Sequence, residues 1–337
     1  IPSSMIHLSN IVAYNYRTKY FAEWQKDFPD KVFIASETMP YRSEKPEDYH
    51  NISFQTNSWF YLPENSAGQF IWAGIDYLGE SMDWPDRGFK HGILKTNGFL
   101  KPISYFVKSI YSEEPMVKIT VLDSLCADSL NNLDHWQVKW TSPPLVDHWT
   151  FEDIGSMKNL VIFTNCDGVE LSLNDQVIDT LYKKSFSDGV IQKKIPFEPG
   201  ILSAKAFRYT KNEGKDIAGD TLITAGEPYA IRMDPDKYAV KADGTDMIHI
   251  TTKIVDSIGI LTPRSNHLVN YVLEGPGQLR VIDNGDLSDL TRYGLFSKEV
   301  RNGNHLVIIR AGNEPGDLII SANAEGLNPA VVKIVSE

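Results

Sequence analysis

Cysteine is nearly absent: Cys126 and Cys166 are the only two in 337 residues. A disulfide framework is therefore excluded as the organising device, and two free buried thiols are expected rather than a bridge. Metal-ligand spacing is missing too. The histidines at 7, 50, 91, 135, 148, 249, 267 and 305 form no His-x-x-x-His, and no Cys-x-x-Cys occurs, so no zinc site is expected. Neither Gly-x-x-x-x-Gly-Lys-Ser/Thr nor Gly-x-Gly-x-x-Gly is present, and there is no Gly-x-Ser-x-Gly elbow. Those absences remove the common nucleotide-binding and serine-hydrolase readings, and no cofactor is expected. Positive charge is short: 33 basic residues stand against 44 acidic ones, a formal net charge of -11. Such a chain repels phosphate backbones and anionic membrane surfaces, which excludes nucleic acid as a partner. No apolar run approaches the ~20 residues needed to span a bilayer. The opening Ile1-Pro2-Ser3-Ser4-Met5 has no basic region followed by an apolar one, so the chain as written is expected to be soluble.

What is present is a globular composition, 42% hydrophobic, over a length that suits two or three domains. Residues 1–113 alternate short apolar strands with mixed segments of helical character, Tyr20 to Lys26 and Ile103 to Ile110, the rhythm of a βα repeat. Beyond Pro115 the texture changes to period-two strands separated by turn residues. The expected strands include Leu160 to Thr164, Val169 to Leu173, Leu202 to Tyr209, Met247 to Val255, His267 to Leu273 and Leu306 to Arg310. Turns such as Asp243-Gly244 and Asn284-Gly285 tolerate positive φ. Two β-sandwiches are expected, 114–226 and 227–337, joined near Ala225-Gly226-Glu227-Pro228. Aromatics near Trp136, Trp140 and Trp149 are expected to contact the first unit.

Three runs carry the functional signal: Ile11-Val12-Ala13-Tyr14-Asn15-Tyr16, Lys31-Val32-Phe33-Ile34-Ala35-Ser36-Glu37, and Gly68 through Tyr77. Each has the composition of a strand buried on both faces and ends in polar or aromatic groups. In a parallel α/β barrel such ends face one shared cavity, where carboxylate, phenol and indole would converge on a ligand. A glycosidase needs two carboxyl groups flanking the glycosidic bond, one to protonate the leaving oxygen and, in retaining enzymes, one to attack the anomeric carbon. Glu37 is a candidate for the second; the alternative is a strand-terminal glutamate that caps a helix or pairs with an arginine. Spacing alone does not decide between them. Tyr16 is a candidate donor to that carboxylate or an amphipathic core tyrosine. Periodicity places Trp72 in the core, and a sugar-stacking role requires its ring at the cavity floor. Asp76 either meets a sugar hydroxyl or caps the next turn. Trp59, Tyr77 and Trp84 either form an aromatic rim or make domain contacts.

The segments "VAYNY", "KVFIASETMP", "GQFIWAGIDYLGESMDWP" and "HGILKTNGFLKPISYFVKSIY" resemble, in order and spacing, the last third of the catalytic barrel of glycoside hydrolase family 2 in its bacterial β-galactosidase branch. "LVIFTNCDGVELSLNDQVI", "EPGILSAKAF" and "TAGEP" resemble the β-sandwich that follows the barrel, and "DGTDMIHITTKIVDSIG" with "VIDNGD" resembles the closing immunoglobulin-like module. The fold this resemblance implies is multidomain: the last strands of a (β/α)8 barrel followed by two immunoglobulin-like β-sandwiches. By the same resemblance Glu37 matches the nucleophile of a retaining exo-β-galactosidase, Tyr16 the tyrosine that holds it, and Trp72 the tryptophan lining the galactose subsite. Asn15, Asp76 and Trp84 match further substrate-binding positions. The β-glucuronidase branch has a Gly-Asn-x-Lys-Gly segment whose Asn and Lys read the sugar carboxylate; here Gly88-Phe89-Lys90-His91-Gly92 replaces both readers, which favours a neutral hexose. The family's acid/base glutamate lies on an earlier strand. The resemblance thus implies a partner, the N-terminal part of the same enzyme, without which this chain is not a competent glycosidase. It also implies a β-galactoside or glycan substrate, a periplasmic or secreted location with a signal peptide before Ile1, and room for a homo-oligomer. Two alternatives stay open: a β-glucuronidase-like enzyme, or non-catalytic sandwiches that bind polysaccharide or protein beside a vestigial half-barrel.

Overall fold

A computed structural model describes residues 4–38, 66–81, 84–122, 144–210 and 213–337. Three strands, β1 (Ile11–Asn15), β2 (Val32–Thr38) and β3 (Ser66–Ile71), form a parallel sheet in the order β1-β2-β3. Between β1 and β2 the chain crosses through α1 (Phe21–Asp27), whose Phe21 and Trp24 lie three residues apart on one face. That face buries against Val12 of β1 and Phe33 and Ala35 of β2. Alternation along the strands leaves Ile11, Val32 and Phe70 exposed. Helix α1 covers one face, and among the described residues the side chains that alternate with it stand exposed or half-buried.

A ribbon of β4 (Tyr77–Leu78) and β5 (Gly88–Phe89) follows, then α2 (Ser104–Tyr111). Helix α2 packs outward rather than on the parallel sheet. Ile103 and Phe106 meet Leu122, Leu145, Val161, Phe163 and Val190 of the next unit, and Tyr16 and Ile71 join this cluster from the ends of the parallel strands. The strand ends are thereby packed against the next unit.

Beyond α2 the structure is all β. Strands β6 (Val117–Leu122), β7 (Leu145–Val146), β8 (Met157–Thr164), β9 (Gly168–Leu173), β10 (Gln176–Tyr182), β11 (Ile191–Pro196), β12 (Ile201–Thr210) and β13 (Glu213–Ile223) make two four-stranded sheets, β11-β8-β6-β7 and β10-β9-β12-β13. Their shared core contains Ile119, Leu160, Ile162, Leu171, Leu202 and Phe197 around Trp149. Trp149 is fully buried and its indole N–H donates to the Glu198 carbonyl at 2.9 Å. This corrects the expectation that Trp149 contacts the first unit: it lies outside any period-two run, so alternation gave no inward or outward sign. Trp136 and Trp140 lie outside the described residues. Cys166 is a buried free thiol, and Cys126 is likewise outside them.

The last unit pairs β14 (Ala230–Pro235), β16 (Met247–Val255), β20 (Asn304–Ala311) and β18 (Gly277–Asp283) in one sheet. The other runs β15 (Ala239–Val240), β22 (Ala330–Ser336), β21 (Gly316–Asn323), β17 (Leu268–Glu274) and β19 (Ser297–Glu299). Its turn after β18 docks on the first unit. Thr96 Oγ1 donates to Asp283 Oδ2 at 2.8 Å, Asn97 Nδ2 to the Asp283 carbonyl at 3.1 Å, and the Arg87 N–H to the Leu287 carbonyl at 3.0 Å. Gly285 has φ 71°, the left-handed region that favours glycine, and a Cβ there would stand 2.8 Å from Lys95 Cδ and force that side chain to shift.

Inside this last core His305 is wholly buried, its Nε2 2.5 Å from the Tyr271 hydroxyl, which donates to Thr252 Oγ1 at 2.7 Å. Burial pushes the His305 imidazole down to about 4, and burial does the same to His91. The unfolded chain takes up these protons near pH 6.5, the folded one only near 4, so stability is full above 6.5 and is lost as pH falls toward 4. Each histidine accounts for about 3 kcal/mol over that window. Urea unfolding between pH 4.5 and 7 is expected to show the slope, and His305→Gln to halve it.

Candidate active site

The register of the parallel sheet sets Asn15 opposite Glu37 at the C-terminal ends of β1 and β2. Immediately after β1 the backbone turns through Tyr16 at φ 55°, an unusual conformation for a non-glycine residue that costs ~1–3 kcal/mol. The Tyr16 N–H donates to the Glu37 carbonyl at 2.9 Å, and its phenol donates to Glu37 Oε2, also at 2.9 Å. Burial, and then this contact with the carboxylate, push the Tyr16 phenol well above its ordinary value, so it stays a protonated donor. Glu37 is half-buried, and no ion pair to it occurs among the described residues. Beside it the Ser36 hydroxyl donates to Asn15 Oδ1.

Strand β3 stops at Ile71, and the Trp72 N–H donates to the Thr38 carbonyl at 2.7 Å, carrying the indole to the end of β2. Trp72 is 38% exposed. The core position that periodicity assigned it is corrected: the strand ends one residue earlier, and alternation does not extend into the bend. Its ring meets Tyr77 edge-on at 6.0 Å and hydrogen-bonds to the phenol, which donates to Glu80 Oε2. Burial, followed by the Glu80 contact and the charge of Glu37, pushes the Tyr77 phenol up to about 12. Tyr77 stacks on Phe89, and Phe89 meets His91 edge-on at 4.9 Å. The structure therefore brings Asn15, Tyr16, Glu37, Trp72 and Tyr77 to one end of the sheet.

Asp76 does not join them. It is buried, with Oδ1 accepting from the Gly92 N–H at 2.8 Å and from Lys101 Nζ at 2.7 Å. A Cβ at Gly92 would lie 2.4 Å from the Asp76 nitrogen, so only glycine lets the two backbones approach. Burial raises the Asp76 carboxyl and lowers the Lys101 ammonium, and the contact between them opposes both shifts. Trp84 is 74% exposed, and Trp59 lies outside the described residues. Lys90 is held by Asp86, while Phe89 and His91 are buried. Glu80 and Lys101 were missed from sequence. Glu80 belongs to the Trp-x-Gly-x-Asp-Tyr-x-Gly-Glu run, whose spacing was the available signal; nothing local marks Lys101. Two hollows of about 920 and 560 Å³ lie elsewhere, the larger where the three units meet.

The chain was compared with known families, sequences and structures. Residues 231–333 match a family described as "Glycoside hydrolase family 2 C-terminal domain 5", and residues 155–213 match one described as "Domain of unknown function (DUF4982)". The chain is 27% identical to "Beta-galactosidase BoGH2A" of Bacteroides ovatus over 97% of its own length and 39% of that protein's. It is 27% identical to a "Beta-glucuronidase" of Formosa agariphila, covering 93% of this chain and 32% of the other. Among solved structures, a glycosyl hydrolase family 2 member from Bacteroides cellulosilyticus superposes with a TM-score of 0.82 at 25% identity, over 97% of this chain and 42% of that one. The chain thus spans between about a third and two fifths of the length of these relatives.

Proposed function

The chain belongs to glycoside hydrolase family 2, and from that premise we propose that it supplies the nucleophile half of a retaining exo-β-galactosidase site. The three-stranded parallel sheet is, in this reading, an arc of a (β/α)8 barrel, and the remaining arc with its acid/base carboxyl comes from sequence outside residues 1–337. The observation that carries the proposal is the phenol of Tyr16 donating to Glu37 Oε2 where Trp72 and Tyr77 also converge.

That bond holds Oε2 and leaves Oε1 to attack the anomeric carbon. A C–O bond forms to Glu37 as the glycosidic C–O bond breaks, and the acid/base carboxyl protonates the departing oxygen. Water, deprotonated by the same carboxyl, then releases the sugar. Trp72 offers an aromatic face to the sugar ring. A neutral hexose is favoured over a uronic acid because Lys90 is engaged with Asp86, and His91, held down to about 4, carries no charge at neutral pH.

The test is mechanism-based labelling of the enzyme that carries this chain, using a 2-deoxy-2-fluoro-β-galactosyl fluoride. Fluoride leaves without protonation, so the step reads the nucleophile alone. The expected result is one adduct on the peptide containing Glu37. An adduct on another carboxylate overturns the assignment, and faster labelling by the glucuronyl analogue overturns the sugar preference.

A further inference from the structure

The hollow of about 560 Å³ lies between α2 and the first pair of sheets, and apart from Phe106, Ser109 and Ile110 of α2 its lining falls in the residues that match the domain of unknown function. Its rim carries two tyrosines, Tyr182 at the end of β10 (36% exposed) and Tyr209 near the end of β12 (51% exposed). Phe207 fixes both rings edge-on, at 5.8 and 5.5 Å, and the two phenols share a hydrogen bond. Asp167 ties the floor together: its carbonyl accepts from the Lys183 N–H at 2.9 Å and its Oδ2 from the Tyr209 N–H at 2.8 Å. The side chain of Lys183 lies across Gly189, half-buried, and makes no ion pair among the described residues.

Charge on the lining balances, with Lys183 and Lys184 against Asp167 and Asp188. A phosphate or a polyanion is therefore disfavoured, as is a wholly apolar ligand, because phenols, ammonium and carboxylates ring the opening. A neutral molecule with an apolar face and a polar edge fits both features, and that is the chemistry of a pyranose ring over a tyrosine. The volume falls within the ~300–1,000 Å³ of small-molecule sites.

We propose that this hollow is a glycan-binding site separate from Glu37, in which a hexose or disaccharide packs its C–H face on the Tyr182–Tyr209 pair while Lys183 donates to a hydroxyl or ring oxygen. It extends the hydrolase reading without depending on it. The test titrates the whole chain with lactose and with methyl β-galactoside, following backbone amide shifts. Residues 182–189 and 207–209 are expected to move, and Tyr182→Ala and Tyr209→Ala to weaken binding about tenfold each. Tyr209→Phe keeps the ring and is expected to retain most of the affinity, which separates lost stacking from a disturbed fold. Shifts confined to Tyr16, Glu37 and Trp72 leave the hydrolase proposal standing and overturn this one. It is overturned equally by no shift at about 10 mM sugar, where a millimolar site is nearly filled.

Discussion

Replacing Lys101 with methionine is expected to destabilise the protein by about 3–5 kcal/mol. The reason is the carboxylate it leaves behind. Asp76 is 3% exposed at its side chain, and Lys101 Nζ lies 2.7 Å from its Oδ1. With the ammonium gone, the Gly92 N–H and the charge of Lys95 remain to offset a carboxylate held away from water. The same lysine donates to the Lys90 carbonyl at 2.8 Å, so two segments lose a common anchor. Those segments are already joined by backbone bonds from Ile93 to Ala73, from Leu94 to Gly74 and from Asp76 to Leu94. Together they form the base from which Trp72 and Tyr77 project. Urea unfolding at neutral pH measures the loss, and two further arms identify its cause. Lowering the pH should shrink the deficit, because burial raises the Asp76 carboxyl and a protonated acid no longer needs the lysine. The double variant Asp76→Leu with Lys101→Met should recover most of the stability, since an apolar pair replaces a buried ionic one at little cost. A deficit that is constant with pH and additive in the double variant would place the effect in the methylene packing of Lys101 instead.

The elements that were legible in the sequence are those where periodicity and partner lie in the same run. Strand Met247–Val255 has the bounds expected from alternation, because every second side chain enters a core built from its own sheet and the one facing it. The helices Phe21–Asp27 and Ser104–Tyr111 stand within one residue of expectation for a similar reason, since their apolar spacing marks one buried face. Legibility fails where the deciding contact is distant. Asp76 reads as a turn cap until Lys101 arrives from another loop. Trp149 reads as a surface aromatic because no strand contains it, yet Phe197 and the facing sheets enclose it. Trp72 reads as a strand interior because the apolar run continues past Ile71, while the hydrogen-bond ladder does not. Residue types and the family resemblance name Tyr16 as the partner of Glu37 but not the geometry that joins them, which is parallel register between two strands separated by a helix, together with a left-handed turn at Tyr16.

That pairing yields the sharpest functional expectation. Glu37→Gln should give no covalent adduct with the fluorosugar at any concentration, because an amide oxygen is too poor a nucleophile to form the glycosyl ester. Tyr16→Phe should still give the adduct, on the same residue, but about 10–150-fold more slowly, the value of one hydrogen bond to a charged group, about 1.5–3 kcal/mol. The two outcomes differ in kind: the first removes the attacking atom, whereas the second removes the group that aims it. A purely structural role for Tyr16 predicts a different pattern. The ring packs with Ile71 against the Ile103 and Phe106 cluster, and phenylalanine preserves that packing. If the phenol matters only as filler, Tyr16→Phe labels at the natural rate with unchanged stability. If it positions Oε2, the rate falls while urea unfolding stays nearly the same. Alkaline pH supplies an independent check, since the Tyr16 phenol is held above its ordinary value and remains a donor where a free tyrosine has begun to ionise. Labelling by the natural protein should therefore show no alkaline loss through the ordinary tyrosine range near pH 10. A decline there that Tyr16→Phe abolishes would mean that the phenol titrates like an exposed one, and that the hydrogen bond to Glu37 does not persist in solution.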